Sequence, residues 1–139
     1  MSIAEKIHVV LNRTLPDWGI VFDDWRGVDK LLTKAKLPCV FVILPNGGRL
    51  EYRNGRMRHV QDIAVAFAMK VPKDANGADN DLRTEYCLDT AEVFLQAVAN
   101  SDYFLPFGVV NYTTFYEQMS SVVSGVVLNL TLEDEVKCV

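Results

Sequence analysis

Apolar residues recur along parts of the chain at the spacing of an α-helix. Near the N-terminus they return every three or four residues until Pro16, and Ser2 and Glu5 have the spacing of a capping box. The pattern predicts a first amphipathic helix that ends before Pro16, a second helix of about ten residues within 27–38, and the longest helix over 81–100.

Other segments favour β-strands. The run PCVFVILP, residues 38–45, is apolar throughout and rich in β-branched residues, which is typical of a strand buried on both faces. The residues PNGG at 45–48 predict a turn directly after it. Further strands are predicted at 18–25, 49–53, 56–71, 107–119 and 121–135.

The order of these elements predicts the fold class. Connections of hairpin length make the sheet mainly antiparallel, and the helices need one face of it to bury their apolar sides. We therefore expect one α+β domain over 1–139, with two layers, a mainly antiparallel sheet of about five strands, helices packed on one face, and a projecting β-hairpin at about 46–60.

The long strand at 56–71 has two different apolar faces. Alternation places large side chains on one face and alanines on the other. The large set is Ile63, Val65, Phe67, Met69 and Val71, and the small set is Ala64, Ala66 and Ala68. We expect a bulky core against the first face and a closely packed neighbour against the second.

Composition is that of a folded globular domain. Apolar residues make up 50% of the chain and charged residues 23%, no run approaches the roughly 20 apolar residues of a membrane span, and the N-terminus does not resemble a signal peptide. The three cysteines are far apart and predict neither a disulfide framework nor a metal site, which favours a reducing setting. Cys39 and Cys87 are expected to be small buried apolar side chains.

Catalytic signatures are missing from the sequence. It contains no P-loop, no Rossmann glycine motif and no nucleophile elbow, and its two histidines lack metal-ligand spacing. The carboxylates of Asp23-Asp24 and of 133–135 are interpreted as a solvated turn and a solvated tail. The aromatic residues are interpreted as core, since no lysine or arginine occurs from 84 to 136 to accompany them in RNA binding. These aromatic residues are Tyr103, Phe104, Phe107, Tyr112, Phe115 and Tyr116. The prediction is a protein with no catalytic residues, no metal and no cofactor.

The most unusual local feature is a cluster of arginines in an acidic chain. Residues 49–58 contain four arginines and one glutamate, a local charge of +3 that leaves −7 on the remainder of a chain whose net charge is −4. Asn54-Gly55 lies in the middle and favours a two-residue type I′ turn. That turn would place Arg53 opposite Arg56, Tyr52 opposite Met57, Glu51 opposite Arg58, and Leu50 opposite His59.

This register sorts the hairpin into two faces. One face carries Arg49, Glu51, Arg53, Arg56 and Arg58, and the other carries Leu50, Tyr52, Met57, His59, Gln61 and Ile63. Glu51 could pair with Arg58, whereas Arg53 and Arg56 would repel one another until an anion approached. A strand from 56 to 71 would be about 50 Å long, so the hairpin must bend or project from the domain.

Three partners fit such a two-faced hairpin. The first is another copy of this acidic chain, which makes Arg49, Glu51, Tyr52, Arg53, Arg56, Met57 and Arg58 an oligomer or partner interface. The second is a small anion, bound by an α+β domain or an enzyme through the Arg49–Arg58 face. The third is nucleic acid, whose binding would weaken steeply with salt. The sequence favours the first.

Element order also carries a family resemblance. The chain contains, in sequence, an N-terminal helix with PDWGIVFDDW, the apolar LPCVFVILP, the hairpin RLEYRNGRMRH leading into QDIAVAFAMKVP, the helix LRTEYCLDTAEVFLQAVANS, and a closing VVSGVVLNLTLEDE. In this order and pattern, over nearly its whole length, it resembles the small α+β tail-completion proteins of tailed bacteriophages, namely tail terminators and related head-to-tail joining proteins.

The resemblance implies a structural and non-enzymatic role. Such a protein would form a homo-oligomer, a hexameric ring, that caps the tail tube, stops its polymerisation and offers a surface to the head connector. Its partners would be other phage tail or connector proteins, and it would be a virion component of a phage or prophage, made in the bacterial cytoplasm. Contact with DNA would rest on the hairpin arginines alone.

Overall fold

Two helices and six strands are found among the residues that the structure describes. The computed structural model describes residues 2–23, 38–71, 76–118, 123–134 and 137–138. The helices are α1 (Ile3–Thr14) and α2 (Gly77–Ala99); the strands are β1 (Gly19–Asp23), β2 (Cys39–Arg53), β3 (Arg56–Lys70), β4 (Asn111–Gln118), β5 (Val123–Glu133) and β6 (Lys137–Cys138). The predicted α+β class is confirmed, while the helix expected within 27–38 lies outside the described residues.

The strands form one mixed sheet in the order β1-β2-β3-β5-β4, with β6 beside the beginning of β3. β1 runs parallel to β2, and the other strand pairs of the described residues are antiparallel. The expectation of a mainly antiparallel sheet is therefore met, with six strands rather than about five. None of the helices in the described ranges is long and apolar enough to cross a lipid bilayer.

Polar caps fix where both helices begin. The Ser2 side chain accepts a hydrogen bond from the Glu5 backbone N–H at 3.1 Å, and α1 ends at Thr14, before Pro16 as predicted. In α2, Asn76 and Asp79 form a complete capping box. The helix therefore starts at Gly77, four residues before the start expected from apolar spacing alone. The first turn is fixed by hydrogen bonds from the cap to free backbone N–H groups, and the spacing of apolar residues does not reveal such bonds.

Both helices pack on the same face of the sheet. Their buried side chains join the large residues of β3, including Phe67, whose ring contacts Phe94 at 5.7 Å and Trp18 at 6.0 Å between centroids. The opposite face carries a second buried cluster, formed by Cys39, Phe41, Ile43, Ala66, Ala68 and Val123. The predicted division of β3 into a bulky face and an alanine face is confirmed.

The predicted turn at PNGG is wrong, since the chain continues through it as one strand. β2 pairs with β3 on both sides of a bulge, and residues 44–46 lie opposite the single residue Ile63. A bulge accommodates Pro45, which has no N–H for the ladder. Gly48 allows the two strands to approach, because a Cβ there would collide with the Val60 carbonyl oxygen.

A second correction concerns Asp134, which was expected in a solvated tail. Asp134 is buried and forms an ion pair with Lys6 of α1, which is itself nearly buried. The Lys6 ammonium lies 5.9 Å from the ring centroids of both Tyr103 and Phe104. The rings of Tyr103 and Phe104 therefore have a basic neighbour, Lys6, which is distant in sequence. Its ion pair with Asp134 connects α1 to the end of β5.

Replacement of Lys6 tests this buried pair. We expect Lys6→Met to lower the free energy of unfolding by about 3–5 kcal/mol, because the Asp134 carboxylate would remain buried without its cation. The double variant Lys6→Met/Asp134→Leu should recover most of that loss, since it removes both charges. Urea unfolding followed by circular dichroism measures both, and equal losses in the two variants would contradict the assignment.

Cys39 and Cys87 are buried, as predicted. Cys39 and Cys87 are free thiols with no exposed surface. Burial disfavours the thiolate and raises the pKa of each from 9.0 to about 12. Burial and the raised pKa both disfavour the thiolate, which is the reactive form of a cysteine.

Thiol labelling tests this burial. In a Cys138→Ser variant, neither remaining thiol should react with a disulfide reagent at about pH 8, and both should react once guanidinium chloride unfolds the chain. Stability should also fall as the pH rises from 9 towards 12, because the unfolded thiols ionise in that window while the folded thiols do not. Rapid stoichiometric labelling of the native variant would contradict the burial of these side chains.

Candidate functional site: the hairpin arm

The turn between β2 and β3 has the geometry that its sequence predicts. Asn54 and Gly55 have positive φ angles of 51° and 76°, as a type I′ turn requires. The strand register that follows from this turn is the predicted one. Arg53 lies opposite Arg56, Tyr52 opposite Met57, Glu51 opposite Arg58, and Leu50 opposite His59.

The hairpin extends beyond the body of the sheet. β5 pairs with β3 from Lys70 back to Val60, and β1 pairs with β2 as far as Ile43. Between these points and the turn, β2 and β3 pair with each other, and the two residues of β6 lie beside Arg56 and Met57. We call residues 46–60 the arm.

One face of the arm is apolar and exposed. It continues the face of the sheet on which the helices pack, but the helices do not bury it: Leu50 is 70% exposed and Tyr52 63% exposed, and Met57 is also exposed. Burying a side chain of this size typically contributes about 1.5–3 kcal/mol. The apolar face is therefore a surface whose burial would stabilise an assembly.

The other face carries the arginines, together with carboxylates from its surroundings. Arg49 donates to Glu51 at 2.6 Å, and this hydrogen bond, with the negative charge of Glu51, raises the pKa of Arg49. Arg58 lies 3.6 Å from Glu133 of β5. Glu51 and Arg58 are register partners, as predicted, and each of them also contacts an opposite charge, Arg49 for Glu51 and Glu133 for Arg58.

The outermost arginines lie beside the turn. Arg56 is exposed, and the backbone places Arg53 directly across from it. Of the arginines nearer the body, Arg49 contacts Glu51 and Arg58 contacts Glu133. Arg56 adds an exposed positive charge beside the turn.

The body end of this face does not favour an anion. Four arginines share the face with the three carboxylates of Glu51, Asp62 and Glu133. Next to them, an open groove of about 480 Å³ is lined by polar groups that include Asp62, Asn111 and Asn129, and no lysine or arginine is among its described lining residues. Asp62 accepts a hydrogen bond from Thr131 at 2.7 Å within it. This face therefore carries both positive and negative charge.

A second groove, between α2 and β4, was missed in the sequence. Tyr112 and Tyr116 were assigned to the core, but they are 50% and 47% exposed and line an opening of about 390 Å³. Asp81 and Glu85 of α2 form the other wall. The sequence does contain the pattern of this groove, since Asp81 and Glu85 are four residues apart on a helix and Tyr112 and Tyr116 are four apart on a strand. Sequence alone, however, does not show that the helix and the strand are neighbours.

Two further observations concern metal binding and similarity to known proteins. Within the described ranges, no group of three or more histidine, cysteine, aspartate or glutamate side chains is arranged to hold a metal ion. No protein-family model matches the chain, and a search of curated proteins finds no match.

The turn can be tested separately from the body. Gly55→Val should destabilise the arm by about 1–3 kcal/mol, because a β-branched residue at this positive φ is strained. Hydrogen exchange should accelerate at 49–59 and remain slow at 63–69, where β5 also pairs with β3. Gly47→Ala in the same hairpin is the matched control, since a Cβ there meets nothing within 4 Å. Uniform acceleration over the whole of β3 would show that arm and body are one cooperative unit.

Proposed function

We propose that this protein is a non-enzymatic structural subunit that assembles with copies of itself through the arm, in the manner of a phage tail terminator or tail-completion protein. The observation that carries the proposal is the two-faced arm, with an exposed apolar strip on one side and arginines on the other. In this role a ring of subunits stands at the head-proximal end of the tail tube and contacts other tail or connector proteins.

The energetics of the arm support assembly. Beyond Val60 the arm is flanked by a strand of just two residues, β6, and the exposed apolar strip of the arm is costly in water. Contact with another protein surface buries Leu50, Tyr52 and Met57 and places the arginines against carboxylates. The −7 charge of the residues outside 49–58 makes another copy a suitable source of those carboxylates.

Support for a phage tail comes from the order of elements. The sequence resemblance rests on a first helix, a buried apolar strand, a long hairpin, a second long helix and a closing strand, and the described elements follow that order. The anion-binding alternative has less support, because Arg49 and Arg58 already contact Glu51 and Glu133. DNA binding would likewise depend on the arginines at the tip.

Self-association of the purified protein tests the proposal. We expect light scattering after size-exclusion chromatography to give a mass several times that of one 15.6 kDa chain. Leu50→Ser/Tyr52→Ser should shift the distribution towards the monomer without lowering the melting temperature, because both side chains are exposed in the single chain. Val109→Ser is the control, since Val109 is 90% exposed but lies outside the arm. A strictly monomeric wild-type protein at high concentration would refute assembly.

The phage role has its own readouts. Negative-stain electron microscopy should show closed rings, and addition of the protein to a polymerising tail-tube protein should limit tube length. Genes for capsid, tail-tube and tape-measure proteins are expected beside its own gene. Rings that leave tube growth unchanged would support assembly while contradicting a terminator role.

A further inference from the structure

We infer that the groove between α2 and β4 receives the arginine-bearing tip of the arm of a second copy. One wall of this tyrosine groove is formed by Asp81, Glu85 and Leu88 of α2, and the other by Tyr112, Thr114 and Tyr116 of β4. The inference rests on the proposed self-assembly and goes further, because it names the surface that the arm contacts.

The chemistry of the groove suits a guanidinium group. Two carboxylates face two half-exposed phenol rings across an opening of about 390 Å³. Carboxylates bind guanidinium in a bidentate fashion, and aromatic faces attract it through their electron-rich centres. Together they make a better arginine site than either would alone.

The groove has no cation of its own within the described residues. The sequence contains no lysine or arginine from 84 to 136, and Asp81 and Glu85 form no ion pair in the described part of the chain. The adjacent Arg83 is engaged elsewhere: its guanidinium donates to the carbonyl oxygens of Lys70 and Asp79, each at 3.0 Å. The groove therefore has negative charge that an external cation would neutralise.

The arm of the same chain cannot supply that cation. Arg56 at the tip and Lys70 at the other end of β3 are separated by 14 residues of extended strand, or about 46 Å. The groove lies near the Lys70 end, because β4 pairs with β5 beside it and Arg83 of α2 bonds the Lys70 carbonyl. The tip and the groove are thus at opposite ends of one strand, and an arm that enters a groove must belong to another copy.

The contact between arm and groove can be tested by reversing the charges of one surface at a time. The arm variant is Arg53→Glu/Arg56→Glu, and the groove variant is Asp81→Lys/Glu85→Lys. Each should weaken self-association by about a hundredfold, since like charges then meet at every contact. The matched controls are Arg13→Glu/Lys70→Glu and Asp89→Lys/Glu92→Lys, which make the same charge changes at exposed sites outside the arm and the groove and should leave the mass unchanged.

Mixing the two variants gives the decisive result. In an alternating assembly, each glutamate arm meets a lysine groove and each arginine arm meets a native groove, so an equimolar mixture should regain the wild-type mass by light scattering. Circular dichroism of each variant confirms that it is folded.

Three outcomes would overturn the inference. In the first, the wild-type protein and the groove variant assemble but the arm variant does not. This result would place the partner surface elsewhere and would leave the proposed self-assembly standing. Failure of the mixture to assemble, when each folded variant is monomeric, would also reject the pairing of arm with groove. A monomeric wild-type chain would reject both the inference and the self-assembly on which it rests.

Discussion

The pairing of β2 with β3 is the constraint on which the rest of the structure depends. Its register begins at Asn54-Gly55, where two positive φ angles close a two-residue turn. Because side chains alternate between faces, a slip of one residue would move every apolar side chain of a strand to the opposite face. The same turn therefore fixes the two faces of the arm and, further along β3, the face on which Phe67 meets the helices.

The bulge in β2 preserves this arrangement while dividing the hairpin into body and arm. Residues 44–46 stand opposite Ile63 alone, so β2 contains two extra residues there. An insertion of two leaves the alternation intact, which is why Phe41 remains in the second buried cluster while Val40 and Val42 face the helices. An insertion of one would have placed Phe41 under the helices. The glycine at position 48 then permits close approach on the arm side of the bulge.

The sequence predicts those parts of the structure that depend on residues close together in the chain. The Asn54-Gly55 turn, the cap at Ser2 and the alternation along β3 depend on residues that are neighbours in the chain, and each was found. PNGG was misassigned because a turn and a bulge use the same residues, and the choice depends on whether the opposite strand is long enough to pair on both sides. The Lys6–Asp134 pair joins residues far apart in sequence, and nothing local in either segment marks it. The tyrosine groove was missed for the same reason, since its walls come from separate elements.

In the proposed contact, the separation of arm and groove along one strand limits how two copies can meet. A reciprocal dimer, in which each arm enters the other's groove, would lay two bodies side by side along the roughly 46 Å of β3. Each body carries the −7 charge that lies outside residues 49–58, so this overlap brings like charges together. A head-to-tail contact joins one arm to one groove at the ends of the molecules and leaves a free arm and a free groove for the next copies. Contacts of this heterologous kind close into rings when the rotation between copies permits, so the proposed contact between arm and groove is compatible with the proposed ring.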